Sequence, residues 1–184
     1  MKKILITGVP GSGKSTIVSE FLKLQKDFEM INFGDVMISF KKEIQRDDLR
    51  RKIQQEEYRE IQLKAAKEIE KLSRQKNLLI DTHLALNHPY GYTSGAPKEA
   101  LLELNPDLIV IVEAKAKDIE KRRSKDPRDR DKETKYQIDL HQQLNRAMSM
   151  SIAMYTNCAV KIIYSPQGKA QDTAKELQKA LETL

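Results

Sequence analysis

The stretch "GVPGSGKST", Gly8 to Thr16, sets glycines at 8, 11 and 13 ahead of Lys14 and Ser15, directly behind the apolar run "KILIT". It fills the pattern G-x-x-x-x-G-K-S/T, in which glycines let successive backbone N–H groups curl around one anion. A helix beginning at Lys14 turns its free N-terminal donors and the positive end of its dipole toward the same point. The lysine then reaches the β and γ phosphates, and the Ser15 hydroxyl serves Mg²⁺. Gly8, Pro10, Gly11, Ser12, Gly13, Lys14, Ser15 and Thr16 are therefore the expected cradle for ATP with its Mg²⁺, in place of a plain glycine-rich turn.

Asp81 closes a second apolar run, "NLLI". An acid at such a strand end is the expected second anchor for the metal, through water, although capping of the next loop is its plainer use. None of His83, His88 and His141 has a partner at metal-ligand spacing. His83 reads as a structural histidine, with contact to substrate as the alternative.

Arginine is the other chemical signal. "KRRSKDPRDRD" supplies Arg122, Arg123, Arg128 and Arg130, and "QLNRAM" supplies Arg146. Guanidinium groups stay charged and grip phosphate oxygens two at a time, which suits a transferring group whose charge spreads over three oxygens. Asp126, Asp129 and Asp131 alternate with them, so a solvated, salt-bridged segment is the competing reading. Their number, in a proline-interrupted stretch of a chain with a phosphate loop, favours a lid that excludes water from ATP. No N-K-x-D element for reading guanine occurs. No aspartate stands out as a base for an acceptor hydroxyl, Asp35 being the one alternative. The inventory therefore favours an acceptor that is itself a phosphate, anionic on arrival and in need of alignment more than deprotonation.

These residues need elements to hold them. Apolar patterning predicts strands at "KILITG", at Met30–Gly34, at "NLLIDTH", at "PDLIVIVEA" and at "AVKIIYS". Helices are expected from Lys14 to about Gln25, from Val36 to about Arg74 with a pause at Gln45–Asp48, from about Asp131 to Tyr155, and over "AQDTAKELQKALETL". The stretch Leu84–Pro97 reads as an irregular loop. Five strands alternating with helices describe a single α/β domain with a five-stranded parallel sheet, whose ligands bind beyond the carboxyl ends of the strands. Gly8, Asp81 and Glu113 all fall at such ends.

Composition narrows the setting. The chain has 184 residues, a charged fraction of 33% and one cysteine, so no internal disulfide can form. Cys158 reads as a small buried side chain at a strand start. No apolar run is long enough to span a membrane, and the chain enters the glycine loop too early to leave room for a leader, which together suggest the cytoplasm. Net charge is +6, and Lys115–Lys135 alone holds ten Lys or Arg against six Asp or Glu. Without interleaved aromatics this is an anion site more than a nucleic-acid surface.

"GVPGSGKST", "MINFGDVM", "RDDLRRKI", "LLIDTHLAL…PYGYTSGAP", "LNPDLIVIVEA", "RRSKDPRDRD" and "HQQLNRAMSM" follow one another in an order that resembles archaeal-type adenylate kinases. The resemblance runs over essentially the whole chain. It implies Mg-dependent, reversible phosphoryl transfer from ATP to AMP, a monophosphate-binding region at 30–72 and a short lid at 122–131. By motif position Arg50 resembles the arginine that holds the AMP phosphate. Arg123 and Arg130 resemble lid arginines, and Arg146 the arginine that meets the reacting phosphates. Phe33, Gly34 and the loop containing Tyr92 would flank the acceptor, Tyr90 and Tyr92 either stacking on a base or bracing the loop. Thr93 and Ser94 stand where more apolar residues are expected, which suggests relaxed base selectivity. The resemblance also implies a homotrimer, although the methionine face of "NRAMSMSIAMY" reads as core. Two other functions are compatible with the motifs: a P-loop kinase of another small acceptor, and an ATP-dependent RNA or ribosome-assembly factor.

Overall fold

The computed structural model describes residues 1–41, 53–126 and 133–184. Arg50, Arg128, Arg130 and the pause at Gln45–Asp48 lie outside them. Five parallel strands form the central sheet in the order β2-β3-β1-β6-β7: β1 (Lys3–Thr7), β2 (Phe28–Asn32), β3 (Asn77–Asp81), β6 (Leu108–Glu113) and β7 (Ala159–Tyr164). The three central strands are covered on both faces, so alternate residues serve opposite layers. Leu5, Leu78, Ile80, Ile109 and Ile111 pack beneath one layer, built largely from α2 (Phe33–Ser39), α3 (Gln55–Ser73) and α4 (Lys98–Leu104). Ile4, Ile6, Leu79, Val110 and Val112 pack against α1 (Lys14–Leu24) and α7 (Ala170–Glu182) on the other. Phe21 of α1 is fully buried in that second layer. Truncating a buried aromatic of this kind costs about 3–5 kcal/mol.

Two helices and a hairpin complete the described chain. α5 (Ala116–Arg123) follows β6, and α6 (Lys135–Thr156) runs back along the sheet. α6 starts at a capping box, the Thr134 hydroxyl accepting from Gln137 N while the Gln137 side chain accepts from Thr134 N. It therefore begins later than the expected Asp131 and ends at Asn157 in the left-handed region.

Five expectations need correction. Among the described residues the helix expected from Val36 to about Arg74 is two, α2 ending at Ser39 and α3 starting at Gln55, and Cys158, just ahead of β7, is only half-buried. The second strand ends at Asn32, not Gly34, because the Asn32 side chain accepts from the N–H groups of Gly34 and Asp35 and starts α2 there. The stretch Leu84–Pro97, expected as an irregular loop, contains an antiparallel hairpin of β4 (Ala85–His88) and β5 (Gly91–Ser94), with Pro89 and Tyr90 at its tip. Finally, the methionine face of α6 is only partly core. Ile152 is buried, but Met150, Met154 and Tyr155 are exposed.

Candidate functional site

Parallel register brings the carboxyl ends of β1, β3 and β6 level, with Ile6 opposite Asp81 and Thr7 opposite Ile111. The phosphate loop springs from this rim. At Gly8 a Cβ would lie 2.6 Å from the Val112 carbonyl oxygen, so the loop hugs β6 as no larger residue allows. Gly13 holds φ at 100°, and a Cβ there would also press on the Ser165 hydroxyl at 2.6 Å. The loop therefore needs glycine for space at its entrance and for backbone conformation where α1 begins. The Ser12 Oγ is buried with no partner, and α1 has no acidic residue in its first turn. An orphaned hydroxyl beside free helix donors is a cradle that an anion would complete.

Lys14 is buried and paired with the Asp81 carboxylate, and its Nζ lies 3.4 Å from the Thr82 carbonyl. Asn32 donates to the other Asp81 oxygen at 3.1 Å. The expected triphosphate lysine and the expected metal acid are thus in contact. Ser15 and Thr16 are exposed at the start of α1. A hydroxyl and a carboxylate are hard oxygen donors and fit Mg²⁺, which keeps waters and takes substrate oxygens for its other positions. Among the described residues there is no cluster of three acidic, histidine or cysteine ligands.

The arginines divide. Arg122 donates to the carbonyls of Gly11 (3.3 Å), Ser12 (2.8 Å) and Ser165 (3.0 Å). Arg123 donates from Nε to Pro10 O at 2.8 Å and pairs through Nη1 with Glu133. Both lie at the end of α5 and brace the phosphate loop through its carbonyls. Arg146 is different. Its Nε donates to Glu113 Oε1 at 2.5 Å and its Nη2 to the second oxygen, yet the side chain is 50% exposed. Glu113 raises the Arg146 pKa above its ordinary value, against a smaller opposing effect of burial. The guanidinium stays charged at any working pH.

The Phe33 ring, expected beside the acceptor, is buried among Ile31, Met37 and their neighbours. Gly34 follows at the start of α2. Tyr92 packs its ring on His141, centroids 5.1 Å apart. Burial raises the Tyr92 pKa, and the Glu133 charge adds to the shift. In this arrangement Tyr92 braces the hairpin. Tyr90, at the tip, stacks on His88 and is 80% exposed. Thr93 Oγ1 lies 3.0 Å from His88 Nε2, and Ser94 Oγ donates to Ala96 O at 2.7 Å. The two hydroxyls that suggested broad base tolerance are engaged within the hairpin.

Sequence reasoning missed Glu133 and the buried polar face of α6. Gln142 accepts from Ala114 N at 3.1 Å, and Thr7 Oγ1 donates to Asn145 at 3.1 Å. His141, Gln142, Asn145 and Ser149 recur at helical spacing, a signal masked by the adjacent methionines. Glu133 gives no such signal, being one acid in a charged run.

The family model described as an AAA domain matches residues 7–139. The chain is 42% identical over 188 residues to the adenylate kinase of Pyrococcus abyssi (strain GE5 / Orsay), covering 97% of this chain and 94% of that one. It is 39% identical over 186 residues to the adenylate kinase of Methanothermobacter thermautotrophicus (strain ATCC 29096 / DSM 1053 / JCM 10044 / NBRC 100330 / Delta H), covering 99% and 100%. The chain belongs to the adenylate kinase family. Its fold is also that of the shikimate kinase from Acinetobacter baumannii in complex with shikimate, with a TM-score of 0.68 at 15% identity over 100% of this chain and 94% of that one. The shikimate kinase from Bacteroides thetaiotaomicron gives 0.65 at 17% identity, covering 98% of each. No helix among the described residues is long and apolar enough to cross a membrane.

Proposed function

We propose that this chain transfers a phosphoryl group reversibly from Mg·ATP to AMP, giving two ADP. The observation that carries this reading is the phosphate loop with Lys14 at its end, beside an arginine held but still open to solvent, in a chain of the adenylate kinase family. Mg²⁺, when bound, neutralises charge on the β and γ oxygens. Ser15 and Asp81 would hold it, and Gly8, Pro10, Gly11, Ser12, Gly13 and Thr16 would complete the cradle. Lys14 exchanges its Asp81 partner for triphosphate oxygens when ATP enters, which releases the carboxylate.

An oxygen of the AMP phosphate then attacks the γ phosphorus as the bond to the β-phosphate oxygen breaks. That phosphate has a second pKa of about 6 and is an anion at neutral pH, so no base is required. Arg146 is the guanidinium free to leave its carboxylate and meet the transferring group. Arg123 braces the phosphate loop at its Pro10 carbonyl, and Arg130, outside the described residues, is the arginine expected to act from the lid. Arg50 takes the acceptor phosphate, and the backbone of Phe33 and Gly34 and the Tyr92-braced hairpin flank the acceptor. Residues 30–72 and 122–131 serve as the monophosphate region and the lid. Exposed Met150, Met154 and Tyr155 support self-association, as a homotrimer by family resemblance, and the single thiol of Cys158 suits a reducing cytoplasm.

The test is nucleotide analysis after mixing the protein with Mg·ATP and each of AMP, GMP, CMP and UMP. AMP-dependent ADP, with little ATP loss when no acceptor is added, supports the reading. ATP loss that ignores the acceptor, or is stimulated by RNA, overturns it.

A further inference from the structure

Glu133 belongs to none of the motifs, yet its side chain meets Arg123 at the end of α5 and Asn87 of the hairpin. It precedes the cap of α6, and its side chain is 7% exposed. One oxygen pairs with Arg123 Nη1, while the other accepts from Asn87 Nδ2 at 2.6 Å and faces His141 Nδ1 at 3.8 Å. Each partner is anchored again at its far end. Arg123 reaches the Pro10 carbonyl, and its stem packs so closely on Gly11 that a Cβ there would lie 3.1 Å from Arg123 Cγ. His141 Nε2 lies 3.1 Å from the Ala85 carbonyl, which can only accept, so that nitrogen carries a proton. Asn87 lies within the hairpin, opposite Tyr92. One carboxylate is therefore the common partner of the phosphate loop and the hairpin.

Stability does not explain such a network. The desolvation of a buried ion pair offsets most of its attraction, and an apolar pair of similar volume serves as well. An apolar pair cannot fix direction, whereas a guanidinium fork bonded at Nε and Nη1 holds its plane in one orientation. Arg123 Nη2 is left buried without a partner, so the network holds Arg123 in place without satisfying it. A merely structural residue would be poorly served by that arrangement.

We propose that Glu133 is a positioning residue for phosphoryl transfer: holding Arg123 on the phosphate loop and Asn87 on the hairpin, it sets the separation of the donor side from the acceptor side. This rests on the reading that the hairpin flanks the acceptor nucleotide. Phosphoryl transfer is sensitive to separation, and misplacement by about 1 Å can lower a rate by about 10²-fold.

The experiment compares the full chain with Glu133→Gln, Arg123→Lys and the double variant, measuring kcat, both KM values and amide hydrogen exchange. Glu133→Gln keeps the shape and removes the charge. The expected result is a fall in kcat of about 10-fold or more with both KM values within about threefold. The double variant should be no slower than the slower single, because Glu133 acts through Arg123. Exchange should rise together in Val9–Ser12 and Ala85–Ser94 and stay unchanged in α7. A kcat within twofold of the parent, multiplicative losses in the double variant, or loosening of only one segment overturns the proposal. The exchange comparison does not depend on AMP being the acceptor. Joint loosening in a chain that transfers nothing to AMP would sink the proposed function and leave the coupling standing. If Glu133→Gln does not fold, Asn87→Ala removes only the hairpin bond. It should lower kcat about 2- to 5-fold and loosen the hairpin, and parental values for both would overturn the proposal.

Discussion

Two arginine–carboxylate pairs sit at the sheet rim with the same chemistry and opposite accessibility. In Arg123–Glu133 both side chains are sealed, at 8% and 7% exposure, whereas in Arg146–Glu113 the arginine is 50% exposed over a buried acid. Arg123 is also committed to the Pro10 carbonyl, while Arg146 has only Glu113 among the contacts described. The sealed pair sets geometry and cannot be released without stranding a charge. The open pair leaves its guanidinium half in water, where, on the proposed function, the transferring phosphate claims it. On the proposed function, burial and not residue type separates a brace from a reagent.

The contrast breaks most sharply on activity. Arg146→Ala should lower AMP-dependent transfer by about 10³-fold, the scale of a lost arginine finger. Made together with Glu113→Gln, so that no buried carboxylate is left without its arginine, its effect on stability should stay within about 1 kcal/mol, because the Arg146 side chain is half in water. Steady-state kinetics beside a thermal melt checks both halves, and a large loss of stability with intact transfer would reverse the assignment.

Glu133→Ala should shift the balance toward stability, with a smaller loss of kcat than Arg146→Ala. It leaves Arg123 charged and buried, at about 3–5 kcal/mol of stability measured by urea unfolding.

Acid sharpens the same point. The His141 ring beside it lowers the Glu133 pKa most; burial pushes the other way, and Arg123 and Asn87 lower it further, to about 2 from 4.5. A carboxyl depressed in the folded state contributes stability that is fully present above its unfolded pKa and is lost as pH falls through its folded value. The window is therefore pH 4.5 down to about 2, and the term is on the order of 3 kcal/mol. Unfolding free energy should fall less steeply across that window in Glu133→Gln than in the parent.

The smallest effect belongs to the hairpin hydroxyls. Thr93→Ala and Ser94→Ala should each cost about 1 kcal/mol of stability. The ratio of AMP to GMP use in the acceptor panel should stay within about twofold for both. A larger change in preference would show that these hydroxyls reach the base.

What was legible in the sequence follows from where the cause lies. The phosphate loop was readable because its chemistry depends on local spacing: Gly8 and Gly13 answer to backbone space and φ, and Lys14 to the helix it begins. The central strands were readable because burial on both faces makes β1, β3 and β6 nearly continuous apolar runs. The start of α2 was misplaced by a single side chain, Asn32, whose cap outweighs the apolar continuity of "MINF". The hairpin was hidden because Pro89, Gly91 and Gly95 suggest a loop, while the pairing of Leu86 with Thr93 and of Asn87 with Tyr92 is visible only across strands. Glu133 was illegible for a deeper reason. Its surroundings bring together the end of α5, the hairpin and α6, up to 46 residues apart in the chain.

The central claim is transfer between nucleotides, and the stoichiometry of product formation tests it most directly. With Mg·ATP and excess AMP the account predicts two ADP for each ATP consumed, no ADP without AMP, and loss of both products' formation in Lys14→Ala. One ADP and one inorganic phosphate per ATP, with AMP unchanged, would contradict it.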